Sequence, residues 1–201
     1  MNTQTNIIKK NPPSASSEFD KIYASAFAHW VWSDIRIPHE LKALVSDEQP
    51  KYTLELGCGV GRFSAYMAAQ GIAATAVDFS AVAIQRAKKR IEKEIFKPRF
   101  IVGDVTNLDM LDKLFDVSFD VGCFHCLDKD AQQKYVREVY RLLKPGGTHL
   151  IWALDHSPAD IRLSPAYIAD TFDSHFELAK EKFSRRRIIA SHWYWLKKSE
   201  Q

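Results

Sequence analysis

Three glycines at alternate positions, Gly57, Gly59 and Gly61, follow a short apolar run, Tyr52 to Leu56, and lead into a helical pattern from Arg62. Glycine accepts positive φ and brings bare main chain against a ligand, and the helix behind it offers unpaired N–H groups. Strand, glycine turn and helix together make a nucleotide-binding arrangement. Asp78 lies about 20 residues past the first glycine, where an acidic side chain at the tip of a second strand can accept from both hydroxyls of a ribose. Ligands of open α/β sheets bind beyond the carboxyl ends of the strands. His125 and Asp128, after a fourth apolar run, are therefore the residues placed for acid–base work, with Asp155-His156 after a fifth. His125 has two readings, a general base or a loop histidine bonded to backbone. His29, His149 and His192 read as structural. Cys123 and Cys126 form a Cys-x-x-Cys, readable as a redox pair, as half a metal site, or as two small, fairly apolar residues at a strand end. A zinc site needs about four ligands, and neither a second Cys-x-x-Cys nor a His-x-x-x-His is present, so no metal is expected.

The elements that must position these residues alternate strand with helix. Strands are expected at Tyr52–Leu56, Ile72–Val77, Pro98–Val102, Phe119–Cys123 and Thr148–Leu154. Helices are expected from Arg62 to a stop at Gly71, from the Ser80 cap through Ile91, from Ala131 to a stop at Lys144-Pro145-Gly146-Gly147, and from Ser164-Pro165 to about Phe172. Such alternation implies a doubly wound parallel sheet covered on both faces. The last two runs, Phe176–Phe183 and Ile188–Leu196, read as a hairpin. The second is apolar on both faces and suits a strand inserted inside the sheet.

Residues 1–17 are too poor in large apolar side chains to order themselves and read as a flexible tail. Residues 18–50 form a helical extension. Phe19, Ile22, Tyr23, Ala26, Phe27 and Trp30 share one helical face, Trp32 follows, and Pro38 opens a second helix through Leu41, Leu44 and Val45. These aromatics either pack on the core or form a lid that excludes water from a ligand. Residues 51–201 make the ligand-binding domain.

Net charge is 28 − 25 = +3, a mild excess that argues against a polyanionic partner. The cationic runs Arg86–Arg90 and Arg185–Arg187 read as solvated faces. No apolar run approaches the ~20 residues of a membrane span, and the N-terminus has no signal-like apolar core, so no membrane association and a cytoplasmic location are expected.

A dinucleotide fingerprint, G-x-G-x-x-G, would put glycine at Arg62; here the third glycine comes one residue early, at Gly61. Glu55-Leu56-Gly57-Cys58-Gly59-Val60-Gly61, Val77-Asp78-Phe79-Ser80, Gly103-Asp104-Val105, Phe119-Asp120-Val121-Gly122-Cys123 and Leu143-Lys144-Pro145-Gly146-Gly147 together resemble class I S-adenosylmethionine-dependent methyltransferases. The resemblance spans about Tyr52 to Trp152. It implies a Rossmann-like, three-layer, doubly wound α/β sheet of seven strands, mostly parallel, with an antiparallel C-terminal strand. It further implies S-adenosylmethionine as cofactor and S-adenosylhomocysteine as product. Glu55, Gly57, Cys58, Gly59 and Gly61 would shape the loop around the methionine part. Asp78, with Phe79 and Ser80, would serve the ribose and adenine, Asp104 and Val105 the adenine edge, and the Cys123 carbonyl the ammonium. Asp120 is expected to be structural.

More loosely, Trp30, Trp32, Pro38 and Phe124-His125 are similar to the branch acting on thiopurines, thiols, halides and tellurite. A small-molecule acceptor is expected, met by Tyr23, Trp30, Trp32, Phe124 and His156, in a monomer or homodimer. Two alternatives stand beside it, methyl transfer to RNA or protein, and a non-catalytic module that binds S-adenosylmethionine for regulation.

Overall fold

The structure, a computed structural model, describes residues 16–25, 36–185 and 190–200. In chain order its elements are α1 (Ser16–Ala24), α2 (His39–Glu48), β1 (Tyr52–Leu56), α3 (Arg62–Ala69), β2 (Ala73–Asp78), α4 (Ala81–Arg90), β3 (Arg99–Val102), β4 (Phe115–Val121), a 3₁₀ turn (Phe124–Cys126), α5 (Lys129–Leu142), β5 (Leu143–Leu154), α6 (Pro165–Phe172), β6 (Phe176–Ser184) and β7 (Ser191–Lys198). The expected continuation of the first helix through Trp30 and Trp32, and the hairpin tip with Arg186 and Arg187, lie outside the described residues.

All seven strands join one sheet in the order β3-β2-β1-β4-β5-β7-β6. β1 to β5 pair in parallel, and β7 runs antiparallel between β5 and β6. That is the inserted strand which its two apolar faces demand. Winding reverses between β1 and β4, so the connections leaving these two strands diverge and open a crevice at their tips.

The alternation of side chains sorts the core into two layers. Val117, Phe119, Leu150, Trp152 and Trp193 meet α2 and α3 through Leu41, Leu44, Phe63 and Met67. Leu54, Leu56, Ile151, Ala153, Tyr194 and Leu196 meet α5 and α6 on the other side through Tyr135, Val136, Val139, Ile168 and Phe172. α2 is thus part of the packed body: Leu41 and Leu44 are buried, and Glu48 accepts from the Thr148 hydroxyl at 2.6 Å.

Among the described residues, three helices start on side-chain caps. Ser80 accepts from Ala83 N, Asp128 from Ala131 N and Ser164 from Tyr167 N, the last with Pro165 at the first helical position.

Of the boundaries that differ from expectation, two shape the sheet next to the glycine turn. β4 starts at Phe115 and ends at Val121, which moves Gly122 and Cys123 into the turn beyond it. Phe115 to Val121 alternate apolar and polar residues along the whole strand, and both faces are covered, Val117 and Phe119 on one and the equally buried Ser118 and Asp120 on the other. Lys144 to Gly147 do stop α5, but as an irregular start to β5: Leu143 already pairs with Phe115, and the register shifts before Thr148 meets Val117.

Candidate functional site

β1 delivers the glycine turn. Gly57, Gly59 and Gly61 all have positive φ, at 66°, 52° and 67°, a region that costs other residues roughly 1–2 kcal/mol. The turn is also packed from two sides. A Cβ on Gly59 would stand 2.6 Å from the Tyr23 hydroxyl, and one on Gly57 would stand 2.5 Å from Cys123 Cβ. The glycines thus let α1 and the β4 turn close on bare main chain.

Behind the turn, Glu55 points from β1 toward the start of α3, where it accepts from Ser64 N at 2.8 Å and from the Ser64 hydroxyl. Burial pushes its carboxyl up to about 8, against the lowering effect of those two bonds, and the carboxylates of Asp78 and Asp120 push it in the same direction. Glu55 is therefore a buttress of the loop.

Asp78, the last residue of β2, spans the turn. Its Oδ2 accepts from Gly59 N at 2.7 Å and its Oδ1 from Ser80 N at 2.9 Å. Burial again raises the carboxyl, opposed by those two bonds. Phe79 is half-buried under Phe19, with ring centroids 4.9 Å apart. The Ser80 hydroxyl donates to Asp20 Oδ1 at 2.5 Å, and the Arg86 guanidinium donates to the Ala24 carbonyl at 3.1 Å. α1 is thereby laid across the N-terminal end of α4, with Tyr23 over the glycines. Burial and then the nearby Asp78 raise the Tyr23 phenol well above its ordinary value, keeping it protonated.

Asp104 is exposed in the turn after β3, and its Oδ1 accepts from both the amide and the hydroxyl of Thr106 at 2.8 Å. Val105, next to it, is buried. Cys123 caps the 3₁₀ turn, and its carbonyl accepts from Cys126 N at 2.9 Å, so one of the two lone pairs expected for an ammonium is engaged.

The structure gathers Glu55, the glycines, Cys58, Asp78, Phe79, Ser80, Cys123 and Tyr23 around one crevice, and separates others from it. Phe124 is fully buried and faces the core, between Tyr135 at 5.4 Å and Phe172 at 5.5 Å; its backbone N–H is drawn to Asp120, which turns the ring inward. This corrects its expected place beside the acceptor. His125 is only 4% exposed, edge-on to Trp152. Asp128 serves as the cap of α5. His156 is exposed and 3.5 Å from Asp155. Trp30 and Trp32 lie outside the described residues.

Burial raises all three thiols, Cys58 and Cys123 well above the ordinary range and Cys126 to about 12. The two cysteines of the Cys-x-x-Cys are free thiols, with Cys126 Sγ donating to the Gly122 carbonyl at 3.6 Å. Among the described residues no cluster of three or more metal-ligating side chains occurs.

His192 and Asp120, both expected to be structural, have partners that the sequence does not show. His192 lies between Glu181, at 3.1 Å, and Asp155, at 3.4 Å. Asp120 is a fully buried carboxylate that accepts from Gly122, Cys123 and Phe124 N–H. The Phe119-Asp120-Val121-Gly122 string shows an acid before a glycine, the signature of a side chain that caps its own turn. Nothing local marks His192, whose partners come from neighbouring strands.

Comparison with known proteins agrees with this geometry. Residues 53–147 match a family described as a methyltransferase domain. The chain is 28% identical over 127 residues to 2-heptyl-1-hydroxyquinolin-4(1H)-one methyltransferase of Mycobacteroides abscessus, covering 62% of this chain and 56% of that one. It is 30% identical over 141 residues to a tRNA N(3)-methylcytidine methyltransferase of Schizosaccharomyces pombe, covering 65% and 44%. The chain thus spans about half the length of these curated relatives. It superposes on the 1,6-didemethyltoxoflavin-N1-methyltransferase of Burkholderia thailandensis, solved with 1,6-didemethyltoxoflavin and S-adenosylhomocysteine, with TM-score 0.70 and 22% identity over 94% of this chain and 93% of that one. The fold is that of class I S-adenosylmethionine-dependent methyltransferases.

Proposed function

We propose that the protein transfers a methyl group from S-adenosylmethionine to a small-molecule acceptor. The observation that carries this reading is the Asp78 carboxylate across the glycine turn, whose two oxygens each accept one backbone N–H, from Gly59 and from Ser80. The glycines stand at 57, 59 and 61, so the position where a dinucleotide turn has its third glycine is Arg62.

The two Asp78 oxygens each hold one backbone N–H, which leaves about half of a carboxylate's acceptor sites for ribose hydroxyls. In this structure Tyr23 stands against Gly59 and Cys123 against Gly57, so the methionine part would take the place of the Tyr23 ring over the turn, and the Cys123 carbonyl retains a lone pair for its ammonium.

When bound, S-adenosylmethionine supplies an electrophilic methyl whose transfer extinguishes positive charge. What the chain must add is alignment and exclusion of water. Tyr23 and Phe19, laid over Gly59 and Phe79 by the Asp20–Ser80 and Arg86–Ala24 bonds, form the cover. Neither His125, nearly buried beside Trp152, nor Asp128, spent on a helix cap, is assigned a step.

A small acceptor is supported by the aromatic cover and by two of the similar proteins, whose names give a quinolone and a toxoflavin precursor as substrates. The test is calorimetry with S-adenosylmethionine and with NAD, then release of S-adenosylhomocysteine over a panel of hydroxyquinolones, phenols, thiols and amines against bulk RNA. Binding of NAD alone would refute the donor. Turnover confined to RNA would refute the acceptor class.

A further inference from the structure

We propose that Tyr135, His149 and Ser118 are positioning residues for the donor site. They form a one-directional chain of hydrogen bonds that ends on Asp120 and through it holds the turn Gly122–Phe124 against the glycine loop. The inference rests on the donor reading above and adds residues to it that touch neither donor nor acceptor.

All four side chains are fully buried, inside the layer that otherwise consists of Leu54, Leu56, Ile151, Tyr194 and their neighbours. A polar chain survives there only if every proton has a taker. Asp120 Oδ1 accepts from Gly122 N and Cys123 N at 2.8 Å; Oδ2 accepts from Phe124 N at 2.6 Å and from the Tyr135 hydroxyl at 3.1 Å. Those four bonds fill an ionised carboxylate.

The Tyr135 hydroxyl has a single proton and gives it to Asp120. Its oxygen therefore accepts from His149 Nε2, 3.1 Å away. Burial drives the His149 pKa down to about 3, against a smaller opposing contribution from a hydrogen bond with the Ser118 backbone, so the ring is neutral and holds one proton. That proton is on Nε2, and Nδ1 must accept the Ser118 hydroxyl at 2.8 Å. The polarity runs from Ser118 to His149 to Tyr135 to Asp120 without an unmatched group.

The sheet register builds the chain. Ser118 and His149 are directly paired across β4 and β5, and Ser118 and Asp120, two residues apart, share a face of β4. At the far end, the turn that Asp120 holds is in contact with the donor loop, since Cys123 Cβ stands 2.5 Å from where a Cβ of Gly57 would be. A shift of a few tenths of an ångström in Cys123 moves one wall of the cradle.

The test uses the full-length chain labelled with ¹⁵N-histidine. At neutral pH, without ligand, His149 is expected as the Nε2–H tautomer; the Nδ1–H tautomer would overturn the proton order. Tyr135→Phe removes one bond from Asp120 and is expected to weaken S-adenosylhomocysteine about five- to tenfold by calorimetry. Ser118→Ala, the milder break at the opposite end, should weaken it about two- to threefold by the same scale and release the tautomer preference. Val139→Ala, on α5 and fully buried but off the chain, lowers the melting temperature and should leave the affinity within about twofold, the scatter expected of an uncoupled site. Equal affinity in wild type and both chain variants, or losses that track melting temperature across all three, would refute the positioning role. A wild type that binds no S-adenosylhomocysteine would refute the donor reading itself, and the positioning role with it.

Discussion

Replacing Asp78 by Asn is expected to separate binding from folding. In the folded protein the two oxygens of Asp78 face two different backbone donors, Gly59 N at 2.7 Å and Ser80 N at 2.9 Å. An amide turns one of those oxygens into a donor, so one buried N–H loses its acceptor at a cost of about 1–3 kcal/mol. Against this, the carboxylate is itself disfavoured by burial, which raises its pKa, and the neutral amide is relieved of that penalty. The two effects oppose each other, and the net change in unfolding free energy should stay within about 1 kcal/mol.

Donor binding has no such offset. Ribose hydroxyls that meet a carboxylate make charge-assisted bonds, and exchange for an amide should cost about 1.5–3 kcal/mol, roughly ten- to 150-fold in Kd. The assay is calorimetry with S-adenosylhomocysteine at pH 7.5 beside urea melts of the unliganded protein. A Kd within twofold of wild type would remove Asp78 from the ribose site. A loss of affinity matched by an equal loss of stability would mean that only the loop had collapsed.

Glu55→Gln tests the buried buttress through pH. The Glu55 carboxyl rises from 4.5 to about 8 on folding, so the folded state holds a proton that the unfolded chain has released; its contribution to stability is complete below about 4.5 and is lost as pH rises through about 8. The difference in urea-melt stability between variant and wild type should therefore grow in favour of Gln from pH 5 to pH 9, by a few kcal/mol at most, and a pH-independent difference would refute the burial argument. Gly61→Ala would place a Cβ 2.4 Å from the Phe100 ring and 3.0 Å from Ala87, at a φ of 67°. Backbone strain and overpacking together predict about 2–4 kcal/mol lost in urea melts, and a loss below 1 kcal/mol would show that Phe100 yields. Asp20→Ala frees the Ser80 hydroxyl from α1; hydrogen exchange over residues 19–25 should speed up while the sheet amides keep their protection. Unchanged exchange would mean that Phe19 and Tyr23 hold α1 alone.

How legible a residue was depended on how far away its partners lay. The capped helix starts at Ser80 and Ser164 follow from interactions three residues long, and sequence is sufficient for those. The inserted β7 was legible because both its faces are apolar, a property of one segment that admits few positions in a sheet. Phe124 misled for the converse reason. Beside His125 after a strand it looks like a site residue, yet its N–H is held by Asp120 and its ring packs in the core on Tyr135 and Phe172. The alternation from Phe115 to Val121 marks a strand with one apolar face; what the sequence does not show is that Ser118 and Asp120 are buried on the other face. Their partners, His149 and Tyr135, come from 31 and 15 residues away along the chain.

By itself, then, the sequence determined the order and type of the elements, the glycine turn and the acid beyond β2, because period, caps and backbone freedom are local properties written in adjacent side chains. Tertiary structure alone decided that Tyr23 lies over Gly59, that His192 sits between two carboxylates, and that Asp120 ends a buried proton-ordered chain. Each of these depends on register between strands and on the docking of one helix. A residue's spacing along the chain does not encode which group will stand opposite it once the sheet has closed.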